Sequence, residues 1–150
     1  MYVANAPGSL LGAWWGPIPA GTRFTAMGWP VTPEGLYEEL TSLRERYGDL
    51  ELYVAENGAC YDDRVDADGT VHDEDRIAFI SDHLTAARRA LAEGVNLRGY
   101  FVWSLLDNFE WRAGYGPRFG LVHVDYPTQR RTPKASFRWY ADWITRSGGR

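Results

Sequence analysis

The chain has 150 residues, 16 Lys and Arg against 20 Asp and Glu, a formal net charge of −4, and 45% hydrophobic with 24% charged residues. That balance excludes a disordered or collagen-like chain, and the length allows one core that buries roughly two-thirds of the unfolded surface. A single cysteine, Cys60, excludes an internal disulfide framework and a cysteine zinc site, and no run approaches the ~18 consecutive apolar residues of a membrane span.

Met1-Tyr2-Val3-Ala4-Asn5 has no basic region followed by an apolar one, so no secretory signal is read and the expected location is cytoplasmic. Residues 1–30 are rich in Gly, Pro and Ala and are punctuated by Trp14-Trp15-Gly16-Pro17 and Trp29-Pro30, a loop-rich lead-in to a single 1–150 unit. Thr32 as N-cap and Pro33 at the first helical position announce a helix. It carries Leu36, Tyr37, Leu40, Leu43 and Tyr47 at helical spacing and stops at Gly48. Leu50-Glu51-Leu52-Tyr53-Val54-Ala55 predicts a short strand ending at the turn Glu56-Asn57-Gly58.

Residues 61–72 form an acidic loop with Asp62, Asp63, Asp66 and Asp68, but without the spacing of a calcium loop. A second helix runs from Asp73 through Ile77, Phe79, Ile80, Leu84, Ala87 and Leu91 to Gly94. Leu97 to Trp103 predicts a second, buried strand, followed by an aromatic loop from Ser104 to Pro117 and an extended stretch at Gly120–Asp125. Thr132-Pro133 predicts the cap of a last helix with Phe137, Tyr140, Trp143 and Ile144 on its apolar side. Strands alternating with helices predict an α/β fold with parallel strands.

Charge is uneven: residues 1–75 hold 4 basic and 14 acidic side chains, and residues 76–150 hold 12 and 6. The basic residues are scattered and no nucleic-acid motif accompanies them, so the expectation is two mutually attracting halves of one fold and no nucleic-acid partner.

In a parallel α/β sheet the reactive groups gather at the carboxyl ends of the strands. The first predicted strand delivers Glu56 there, and the second delivers Trp103 and a loop holding Asp107, Asn108, Glu110 and Trp111. Carboxylates beside flat aromatic faces suit a sugar, whose C–H face stacks on indole while its hydroxyls bind carboxylates. The 7 Trp, 9 Tyr and 6 Phe supply ample stacking surface. His72, His83 and His123 lack metal-ligand spacing, Cys60 reads as a small loop residue, and Ser104 lacks a nucleophile setting. No cofactor or metal site is expected.

Four stretches, in register, carry a resemblance. They are Met27-Gly28-Trp29-Pro30 with Pro33-Glu34-Gly35-Leu36-Tyr37; Tyr53-Val54-Ala55-Glu56-Asn57-Gly58; the aromatic run from Gly99 to Trp111; and Arg118 to Tyr126. Together they resemble glycoside hydrolase family 1, the β-glucosidase family, over about residues 27–145. The resemblance implies a partial (β/α)₈ barrel covering roughly the last two βα units and a preceding helix, the C-terminal third of an enzyme. A complete barrel takes about 250 residues.

The resemblance further implies Glu56 as the nucleophile of a retaining β-glycosidase, ionised by nearby donors or positive charge and forming a covalent glycosyl-enzyme. Glu110 would clasp the sugar's O4 and O6 hydroxyls, Trp103 and Trp111 would line the same subsite, and Phe119 would close its wall. The carboxylate of Glu110 would repel a 6-phosphate, which implies an unphosphorylated β-D-glucoside or galactoside as the small-molecule partner. The family's acid/base motif, Asn-Glu-Pro, is absent from the 150 residues. The isolated chain is therefore expected to be inactive, with an N-terminal barrel segment as its partner. The alternative is a non-catalytic carbohydrate-binding or complementing half-barrel.

Overall fold

Two short parallel strands joined by a helix form the frame on which everything else hangs. The computed structural model describes residues 3–5 and 13–147. In chain order the elements are β1 (Val3–Asn5), β2 (Ala13–Trp15), α1 (Pro33–Tyr47), β3 (Leu52–Asn57), α2 (Glu74–Ala92), β4 (Leu97–Val102), a 3₁₀ turn (Trp111–Ala113), β5 (Val122–Asp125), β6 (Arg130–Pro133) and α3 (Ala135–Arg146). β3 and β4 pair in parallel, Leu52 opposite Leu97 and Asn57 opposite Val102, with α2 as the crossover between them. No helix among the described residues is long and apolar enough to cross a membrane.

The helices form where the apolar spacing predicts them. α1 begins at Pro33, whose missing N–H is no loss in a first turn. Gly48 at φ 82° ends it, donating its N–H to the Arg44 carbonyl. α2 buries Phe79, Ile80, Leu84, Ala87 and Ala90 on one side. That side meets two clusters: Val31, Ala59, Leu121 and the α3 aromatics at one end, and Leu40, Val54 and Val95 at the other.

Three expectations are corrected. The 1–30 lead-in is not all loop: β1 and β2 pair antiparallel, Val3 opposite Trp15, and Phe24 bridges Pro30. The loop assignment for residues 1–2 and 6–12 lies outside the described residues. Thr132 and Pro133 do not cap the last helix. They belong to β6, opposite His123 and Val122 of β5, and α3 starts after Lys134. Pro133 fits there as the last residue of an edge strand, where its missing N–H breaks no ladder.

The strand expected to be buried, β4, is half exposed. Helices α2 and α3 leave it partly uncovered, and Phe101 and the β3 residue Tyr53 are each 57% exposed. A parallel strand reads as continuously apolar because both faces are normally covered.

The charge asymmetry along the chain resolves into ion pairs between the halves. Asp63 and Asp73 pair with Arg76, Asp63 also pairs with Lys134, Glu34 with Arg89, and Glu51 with Arg98.

Candidate active site

The carboxyl ends of β3 and β4 are locked together. Trp103 donates its backbone N–H to the Asn57 carbonyl at 3.0 Å. A Cβ on Gly58 would lie 1.7 Å from the Trp103 carbonyl oxygen, so only glycine lets the two backbones approach this closely. The Tyr100 hydroxyl donates to Asn57 Oδ1 at 2.6 Å, and the Tyr140 hydroxyl donates to the Tyr100 carbonyl at 3.2 Å. Burial pushes the Tyr100 phenol up, so it stays a donor. Glu56 is thus exposed at a strand end fixed one residue later, with Trp103 just past the end of the neighbouring strand.

Beyond Trp103 the chain makes a folded loop. Ser104 donates its N–H to the Phe119 carbonyl at 3.2 Å, Leu121 to Ser104 at 2.8 Å, and Val122 to Leu105 at 2.9 Å, so the outgoing and returning limbs are paired. Asn108 Nδ2 reaches Ser104 Oγ and the Leu106 carbonyl. At the tip, Glu110 and Gly114 form a bridge around the 3₁₀ turn. Trp111 sits there at φ 40°, 83% exposed. A positive φ on a bulky residue costs about 1–3 kcal/mol and is retained where the surroundings over-determine it, most often at functional sites.

Glu110 is half-buried and Trp103 is exposed. Phe119 is buried, its ring centroid 6.2 Å from that of Trp29. Neither Glu56 nor Glu110 belongs to the apolar clusters.

Beneath the rim runs a buried chain of charges that the sequence patterns did not reveal. Arg76 reaches Asp73, Asp63 Oδ2 at 2.6 Å, and the carbonyls of Ala59 and Arg118 at 3.3 and 2.5 Å. Lys134 Nζ donates to Asp63 Oδ2 at 2.5 Å and Asp107 Oδ1 at 2.9 Å. Asp107 also accepts from Gly120 N, Val124 N and Arg118 Nη1, and Asp73 accepts from the Ser136 N–H and hydroxyl. Burial pulls the Arg76 guanidinium down, but Asp63 and Asp73 outweigh it and hold it above its usual range. For Lys134, burial wins over Asp63 and Asp107, and the ammonium is held below its usual range. The available signal was Arg76 itself, a cation in register with Phe79, Ile80 and His83 on the buried side of α2. A charge on an apolar stripe requires a partner.

The donors expected beside Glu56 are not found: among the described residues none hydrogen-bonds its carboxylate. The positive charges lie in the layer below, committed to Asp63, Asp73 and Asp107. Of the histidines, His72 is a loop residue whose Nε2 is 2.8 Å from Thr70 Oγ1 and whose ring, with Asp66 and Asp68, makes an exposed cluster within 4.8 Å. His83 is on a helix but buried, stacked on Phe79 at 4.0 Å, and burial holds it below its ordinary range. His123 is a buried strand residue with an unpartnered Nδ1. Cys60 is buried, and its burial raises the thiol above its usual range, away from a reactive thiolate.

Glu56 is thus exposed at the end of β3, while Trp103, the half-buried Glu110 and the exposed Trp111 lie on the segment that leaves β4, residue types suited to a pyranose ring. The model of "Glycosyl hydrolase family 1" matches residues 19–149. Beta-glucosidase A of Thermotoga maritima is 52% identical over 124 residues, 83% of this chain and 28% of that protein. A family 1 β-glucosidase structure from Thermotoga maritima superposes with a TM-score of 0.86 at 46% identity, over 95% of this chain and 32% of that one. A Thermotoga maritima β-glucosidase in complex with methoxycarbonyl-substituted glucoimidazole gives 0.83 at 49% identity, over 89% and 30%. The chain thus spans about three-tenths of the relatives it matches, and its βα units are a sector of a (β/α)₈ barrel, not a closed one.

Proposed function

The chain belongs to glycosyl hydrolase family 1, and on that premise we propose that it carries the nucleophile side of a retaining β-glycosidase acting on unphosphorylated β-D-glucosides or galactosides. Glu56 attacks the anomeric carbon as the glycosidic bond breaks, giving a covalent glycosyl-enzyme. Water then releases the sugar with retained configuration. Trp103 and Trp111 stack on the ring, Glu110 accepts from its hydroxyls, and Phe119 backs the wall. The observation that carries this reading is the juncture of β3 and β4, where the Asn57–Trp103 hydrogen bond and the Gly58 contact bring the Glu56 strand end against the Trp103 loop. The sugar mimic bound by the Thermotoga maritima relative is of the corresponding substrate class.

Retaining enzymes need a second carboxyl group about 5–5.5 Å from the nucleophile to protonate the leaving oxygen, and no Asn-Glu-Pro occurs here to supply it. General-acid help is worth roughly 10²–10⁴-fold, so the 150-residue chain alone does not turn over an aryl β-glucoside. A complementing role is favoured by one observation. A groove of about 920 Å³ runs along β4 between α2 and α3, lined by Leu91, Phe101, Leu105, Tyr140 and Ile144. Mixing the chain with an Asn-Glu-Pro-bearing N-terminal barrel portion of a relative tests both points. We expect no turnover of p-nitrophenyl β-glucoside by the chain alone, turnover on mixing, and its loss when Glu56→Gln is used. Turnover by the pure chain, or an unaffected E56Q mixture, overturns the proposal.

A further inference from the structure

We infer that Lys134 is a positioning residue, a buried strut that sets where the limb bearing Glu110 stands relative to the loop that follows Glu56. The functional meaning of that placement rests on the sugar-facing roles proposed for the two carboxylates. Lys134 is fully buried, at the junction of β6 and α3. Its backbone N–H donates to the Leu121 carbonyl at 3.0 Å, and Ala135 donates to Val71 at 2.9 Å, so the residue is held from both sides. From that anchor its ammonium reaches Asp63 Oδ2 at 2.5 Å and Asp107 Oδ1 at 2.9 Å. Asp63 lies in the loop leaving β3 after Glu56, and Asp107 lies three residues before Glu110.

A buried ion pair is weak evidence for stability, because a well-packed apolar replacement is often neutral or stabilising; its attested use is to specify register. The partners here support that use. Without the ammonium, Asp63 keeps Arg76 at 2.6 Å, and Asp107 keeps Arg118 at 3.1 Å with the N–H groups of Gly120 and Val124. No carboxylate is orphaned; what is cut is the link between the two loops. The other ties, Arg76 to the Arg118 carbonyl and the Tyr61–Arg118 bridge, hold the returning limb directly and reach the limb that leads to Glu110 only through Arg118 and the pairing of the two limbs.

The test measures distance directly. In the full chain with Cys60→Ala, spin labels on Asp62→Cys and Arg112→Cys, both exposed, report the inter-loop separation by double electron–electron resonance. We expect one narrow distribution for the parent, at least a twofold broadening for Lys134→Met with unchanged far-UV circular dichroism, and a narrow distribution again for Lys134→Arg. Ser136→Ala, which trims the same network without cutting the link, stays narrow. A folded K134M chain with the parent distribution overturns the inference. If K134M does not fold, Asp63→Ala removes the acceptor and cuts the same link while Arg76 keeps Asp73, and an unchanged distribution there is equally fatal. No sugar enters this measurement, so failure of the proposed chemistry, read by turnover of the complemented barrel, is separable from failure of the strut.

Discussion

At Gly58 the chain leaves no room for a side chain: an added Cβ would sit 1.7 Å from the Trp103 carbonyl oxygen, and at Gly120 one would sit 2.2 Å from the Asp107 nitrogen. Gly58→Ala must therefore push the two strand ends apart. We expect a loss of about 3 kcal/mol or somewhat more in urea unfolding, at the upper end of overpacking effects. Trp111 is the opposite case. It is 83% exposed at φ 40°, so Trp111→Gly relieves backbone strain and is expected to leave stability unchanged or raise it by about 1 kcal/mol. The same change weakens sugar binding in the complemented barrel, read as a higher KM. Arg76→Met strips Asp73 of its cation in a fully buried position and should cost about 3–5 kcal/mol. The places of Glu56 at the end of β3 and of Glu110 in the loop after β4 were legible from the strand-like runs that precede them. Lys134 was not, because a lysine after a proline reads as a surface cap until the tertiary fold brings Asp63 and Asp107 to it.

Among the elements, α2 carries the greatest load, packing on α1, β3, β4 and α3. Its ends use different physics. Near α1 the contact is apolar around Leu40 and Ala90, with an exposed Glu34–Arg89 pair above it. Leu40→Ala should cost about 2–5 kcal/mol, whereas Glu34→Gln should change stability by less than about 1 kcal/mol; urea titrations of both variants check the contrast. Near the middle, burial holds His83 below its ordinary range, and His123 on β5 is lowered by its burial and then by Arg118. The unfolded chain then binds more protons than the folded one as pH falls below about 6.5. Stability is complete above that value and should decline toward pH 5. His83→Gln is expected to flatten the decline, and a pH series of unfolding midpoints measures it. The helices were readable in the sequence to within a few residues because their apolar spacing is local. β6 was not, since Arg130–Pro133 is a strand only by virtue of its partner β5.

For the molecule as a whole, the sequence motifs made the family legible, whereas the uncovered face of β4 had no local sign. An apolar strand looks the same whether or not both faces are covered, and here Phe101, Leu105 and Leu91 are exposed. We expect the isolated chain to bind an apolar dye and to self-associate with rising concentration, both relieved by the N-terminal barrel portion. Sedimentation velocity with and without that portion measures the difference. The charges divide by depth in a way that added electrolyte will expose. Screening shortens to about 3 Å at 1 M ionic strength, which reaches the solvent-facing pairs Arg23–Asp82 and Glu34–Arg89. It does not reach Arg76, Lys134 and their carboxylates, which counterions cannot approach. Brine should thus loosen the periphery of the fold while the scaffold of buried charges keeps its shape, so that hydrogen exchange in molar sodium chloride quickens at the start of α1 and stays slow at Asp107 and Gly120.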